Sequence, residues 1–88
     1  MKTFKLSWGS GVVVEQAQST SDHKKPTIQL LHFTDGECEG QNQIRFCQYS
    51  PNGAFSRFPL IIGPSDLTRL RREIKKCPQL HKLLTRLV

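Results

Sequence analysis

The stretch Gln43–Leu70, QIRFCQYSPNGAFSRFPLIIGPSDLTRL, restricts the possible folds of this chain more than any other. It reads as a strand, a tight turn, a second strand and the start of a helix. Pro51 suits the turn position that needs φ of about −65°, and Gly53 follows Asn52 where a three-residue hairpin loop needs a left-handed residue. The flanks alternate with period two. A two-residue loop at Asn52-Gly53 would pair Arg45 with Leu60 and Gln48 with Arg57, mixing polar and apolar groups on both faces. A three-residue loop pairs Tyr49 with Phe55, Cys47 with Arg57, Phe46 with Phe58 and Ile44 with Leu60. One face then carries Ile44, Phe46, Phe58, Leu60 and Ile62, and the other Arg45, Cys47, Tyr49, Phe55, Arg57, Pro59 and Ile61. A slip of one residue would scramble both sets, so the second register is the expected one. The first face is expected to be core, the second a mixed basic and aromatic surface.

The rest of the chain builds on this hairpin. Phe4–Trp8 alternates as a short strand, Gly9-Ser10-Gly11 reads as a turn, and Val12–Ala17 is a β-branched strand. Residues 18–26 contain no apolar side chain and read as a mobile loop. Thr27–Thr34 is apolar on both faces, the pattern of a central strand, and Asp35–Asn42 is an acidic connection. Pro59 cannot donate to a ladder, which places the strand after the turn at an edge or a bulge. Ser65 is the expected helix cap, with Asp66 in the first turn where the macrodipole favours a carboxylate. Leu67, Leu70, Ile74 and Cys77 recur at helical spacing. Pro78 kinks or breaks the helical segment 65–88, and Leu80, Leu83, Leu84 and Leu87 follow. The expected fold is α+β, a bent antiparallel sheet of about four to five strands followed by a C-terminal helix.

A chain of 88 residues makes one domain, 1–88. No apolar run is long enough for a membrane span. Met1–Leu6 lacks the apolar stretch of a secretory signal, and three scattered cysteines without CxxC spacing fit a reducing compartment, so a cytoplasmic protein is expected. The formal charge is +6. Residues 1–65 nearly balance, whereas residues 66–88 set seven Lys/Arg against Asp66 and Glu73 alone. Such basicity suits a polyanionic partner.

The segment Thr27–Ile74 resembles the single-stranded-DNA-binding fold of the positive-cofactor-four-type transcriptional coactivators, and more distantly the Whirly and purine-rich-element-binding proteins. The likeness lies in IQLLHFT, a connection, and IRFCQYSPNGAFSRFPLIIGPSDLTRLRREI: basic-aromatic strands, an apolar strand, a Pro/Ser/Asp helix start and a leucine stripe. The hairpin carries fewer Lys/Arg than the strongest DNA binders of that fold, and Leu80–Val88 is additional. The resemblance implies a homodimer joined partly through its helices, with sheets facing single-stranded DNA or RNA.

The expected function is therefore a non-enzymatic single-stranded nucleic-acid-binding module acting in transcription regulation or DNA maintenance. Arg45 and Arg57 are the candidates for phosphate, Tyr49 and Phe55 for base stacking, and Lys24 and Lys25 for added backbone contacts. Leu80, Leu83, Leu84 and Leu87 are the candidate dimer interface. The alternative is a protein-interaction or assembly module working through the leucine-rich helix. Cys38, Cys47, His23 and His32 match no common metal spacing, no catalytic constellation stands out, and no cofactor is expected.

Overall fold

The computed structural model describes residues 2–21 and 23–88. Four strands, β1 (Thr3–Leu6), β2 (Gly9–Gln18), β3 (Lys25–Phe33) and β4 (Asn42–Tyr49), precede two helices, α1 (Pro64–Ile74) and α2 (Pro78–Leu84), and a 3-10 turn at Thr85–Leu87. The strands pair antiparallel in the order β1-β2-β3-β4. The architecture is α+β, with β3 interior and buried along nearly its whole length.

The sheet curls because β2 is built to bend. Gly9-Ser10-Gly11, expected as a turn, lies inside β2, and the turn falls at Ser7-Trp8. Gly11 faces Phe33 so closely that a Cβ there would sit 1.9 Å from the His32 carbonyl oxygen, so only glycine permits this approach. A bulge between Val13 and Glu15 adds further bend.

Curling gives the sheet two unlike faces, each with its own apolar cluster. On the convex side Ala17, Ile28 and Leu30 pack against Leu70, Cys77 and Leu80 of the helical layer. On the concave side Phe4, Val13, Leu31 and Phe33 form a second cluster, with Phe4 and Phe33 edge to face at 4.9 Å.

The hairpin tip has the expected chemistry. Gly53 takes φ of +92°, the Gly53 N–H donates to the Ser50 carbonyl, and Tyr49 bridges Phe55. Beyond that bridge the expected strand 55–62 does not form. The Ser56 N–H still reaches the Gln48 carbonyl at 3.0 Å, but the Ser56 hydroxyl then accepts from the Phe58 N–H at 3.2 Å and turns the chain away. Pro59 has no N–H to bring it back. The Lys24 ammonium meets the Ile61 carbonyl instead.

Both helices are started by groups the local sequence only half reveals. Gly63, not Ser65, is the N-cap of α1, Pro64 takes the first helical position, and Asp66 reaches back to the Gly63 N–H at 3.3 Å. The other Asp66 oxygen accepts from the Ser19 hydroxyl at 2.8 Å and from Arg69 at 3.1 Å. Ser19 is thereby wholly buried, so the start of the expected mobile loop is tied to α1. Pro78 opens α2, whose Gln79 and Leu80 N–H groups donate to the Glu15 carboxylate on β2 at 3.2 and 2.8 Å. That carboxylate satisfies two of the donors every helix start leaves open.

Candidate nucleic-acid interface

The mouth of the curled sheet gathers Arg45, Tyr49 and Phe55 of the face that the period-two pattern predicts, but not Arg57. Arg45, Cys47 and Tyr49 alternate along β4 and point into the concave side, because side chains two apart share a face. Curling brings the first residues of the chain opposite them. The Arg45 guanidinium lies 5.9 Å from the Phe4 ring centre, and the Lys2 ammonium 4.3 Å from that of Tyr49. Phe55 completes the group: its ring meets Tyr49 edge to face at 5.6 Å and lies 5.1 Å from the Arg45 guanidinium.

Beneath the rings lies a hub, Gln29, 0% exposed. Its amide N–H group donates to the Gln16 side-chain oxygen at 2.9 Å and to the Tyr49 hydroxyl at 3.0 Å. Its oxygen accepts from Arg45 Nε at 2.9 Å and, more weakly, from the Cys47 thiol at 3.7 Å. Lys2 Nζ donates to the same Gln16 oxygen at 3.1 Å. A buried amide left unpaired is costly, so the full set of partners fixes the orientation of Arg45 and Tyr49. Burial pushes the Cys47 thiol above its ordinary range, against the pull of Arg45 and Lys2.

The electrostatics of the mouth are one-sided. Among the described residues the ion pairs are Arg69–Asp66 and Lys76–Glu73, both on α1 or just past its end. Lys2 and Arg45 therefore meet only neutral amides and ring faces. Each is held in place and neither is neutralised.

The expected site residues divide. Arg45 and Phe55 share the mouth, and Phe55 is 50% exposed. Tyr49 is at the mouth but only 9% exposed, with Lys2 over its ring and its hydroxyl bound to Gln29. A base cannot lie on a ring so covered, which leaves Phe55 as the open ring of the pair. Arg57 is exposed in the segment that leaves the sheet. Lys24 is turned onto the Ile61 carbonyl, and Lys25 is half-buried opposite Tyr49. The candidate dimer leucines also divide. Leu80 is 0% exposed at the centre of the convex core, Leu83 and Leu84 pack on that core from its margin, and only Leu87 is exposed.

Sequence reasoning missed Lys2, Gln16 and Gln29. Lys2 stands two residues before Phe4 and four before Leu6, so the alternation of β1 carried its signal. Seeing its partner required knowing that β1 and β4 meet across the mouth. Trp8, half-exposed, was missed as well, and it shares a small cavity with Gln43 and Arg45. The chain matches no known family profile, curated protein or solved structure.

Proposed function

We propose that this chain is a single-stranded nucleic-acid-binding module that works without catalysis, as the sequence resemblance implies. One observation carries the reading: Arg45 is fixed beside the half-exposed Phe55 ring and Lys2 over the adjoining Tyr49 ring, with no carboxylate partner for either among the described residues. Unneutralised cations next to an open ring are what a single strand needs, phosphates on the cations and a base on the ring. Arg45 and Lys2 hold phosphate, Phe55 stacks a base, and exposed Arg57 extends the track along the strand. Tyr49 and Gln29 position Arg45 and do not touch the ligand.

The test is a fluorescence-anisotropy titration with a labelled oligothymidine and with a duplex, each at two salt concentrations. Single strands are expected to bind more tightly, with a log–log salt slope of about −0.7 per phosphate contacted. Phe55→Ala is expected to weaken binding by about 1–3 kcal/mol. Tyr49→Phe, which removes only the hydroxyl bound to Gln29, is expected to weaken binding less than Phe55→Ala, because it acts only through the position of Arg45. A flat salt response, or full affinity in Phe55→Ala with the fold intact, would overturn the proposal.

A further inference from the structure

The convex face of β4, carrying Ile44 and Phe46, turns toward the helical layer, yet neither helix reaches across it. α1 packs over β2 and α2 over β3. Both helices lie over the inner strands β2 and β3, so the outer strand β4 is covered only in part: Ile44 packs at the margin of the core, and Phe46 lies beyond it. Phe46 is accordingly 49% exposed, and Leu67, on the facing side of α1, is 58% exposed.

Between them lies an open cavity of about 340 Å³. Ile28 and Phe46 make its floor, and Leu67, Leu70 and Ile74 its wall. Its rim is basic, with Arg71, Lys75 and His81. The two ion pairs at this helix engage Arg69 and Lys76, so Arg71 and Lys75 have no acidic partner among the described residues. A second depression, lined by Thr68, Arg71, Arg72 and Lys75, adjoins the first through the shared Arg71 and Lys75.

We infer that this groove docks an acidic amphipathic helix of a partner protein. The groove lies on a sheet face beside α1 and not along a strand edge, which selects a helix over an added strand. The apolar floor and wall call for anchors at i, i+3 or i+4, and i+7 on one side of that helix. The unpaired cations on the rim call for carboxylates beside the anchors. A second copy of this chain fits poorly, because its own α1 would bring Arg71, Arg72 and Lys75 against the same cations. A bilayer fits poorly too, because the apolar groups line a cleft and do not form one projecting face.

The test uses the full chain and a labelled synthetic helix of about three to four turns, long enough to lie along α1. The probe carries leucines at i, i+3, i+4 and i+7 and glutamates on its flanks, and a control carries lysine for every glutamate. Anisotropy is expected to show saturable binding of the acidic peptide and at least about tenfold weaker binding of the basic one. Phe46→Ser and Leu67→Ser, at exposed positions that keep the circular-dichroism spectrum, are expected to weaken the acidic peptide about tenfold. Arg71→Gln with Lys75→Gln is expected to lower its salt dependence. Equal affinity for the two peptides, or indifference to Phe46→Ser and Leu67→Ser, would overturn the inference. So would binding to phosphatidylglycerol vesicles in place of the peptide, or self-association in sedimentation that Phe46→Ser abolishes.

Discussion

Asp66 shows what one side chain contributes here. Its carboxylate joins the start of α1 to Ser19 and Arg69, and the Ser19 hydroxyl first, then the Gly63 N–H and Arg69, hold its pKa below the usual carboxylate range despite burial. The unfolded chain therefore binds a proton at a higher pH than the folded one. The Asp66 contribution to stability is complete above the unfolded pKa and is lost as pH falls through the depressed folded value. Asp66→Asn is expected to cost about 1–3 kcal/mol at neutral pH, because a hydrogen-bonded buried charge is removed. Urea denaturation from neutral to acid pH should show the variant and the parent converging as the pH falls. Persistence of the full difference at low pH would rule this account out. The thiols offer a second check. Burial raises the pKa of Cys47 and Cys77, whereas Cys38 is half-exposed. At mildly alkaline pH a thiol reagent is expected to modify Cys38 first, and the other two only after unfolding.

Among the elements, the four strands, the body of α1 and the hairpin tip were legible because each follows from neighbours in the chain, whereas the cap of α1 is Gly63 and not the expected Ser65. Alternation marks β3 and β4, Pro51-Asn52-Gly53 marks the turn, and the leucine stripe marks α1. What was not legible depends on contacts far apart in sequence. The capping of α2 comes from Glu15, more than sixty residues away. No local pattern announces it, and Glu15→Ala is expected to cost about 0.5–2 kcal/mol, the usual range for losing a cap. Pro59 was visible as a ladder breaker, but the local turn at Ser56 and the pull of Lys24 on the Ile61 carbonyl, which complete the departure, were not. The leucines after Pro78 carry the same lesson, since periodicity cannot say which neighbour a stripe meets. Leu80 belongs to the protomer's own core, and Leu80→Ala is expected to cost about 2–5 kcal/mol in thermal or urea unfolding. Leu87→Ala should stay within about 0.5 kcal/mol. Equal small effects at the two positions would contradict the observed packing.

At the scale of the molecule the sheet acts as a partition. Lys2, Arg45 and Phe55 lie at its concave mouth, whereas Phe46 and Leu67 line the groove on its convex side. Adjacent β4 residues point to opposite faces, so Arg45 and Phe46 belong to different surfaces although they are neighbours in sequence. The site was legible in the alternation of β4 to that extent, but which side was open depended on the curl from β2. Two ligands on opposite faces share no contact, so their binding energies should add to within about 0.5 kcal/mol. Lys2→Ala is expected to make the oligothymidine salt slope less steep by about 0.7 and to leave the acidic peptide unaffected. Leu67→Ser is expected to weaken the peptide and to leave the oligothymidine unaffected. The double variant should show each deficit unchanged in size when both titrations are run on one preparation. A deficit that grows or shrinks in the double variant would mean that the faces communicate through β4, and the sheet would then be a coupling element between the two surfaces.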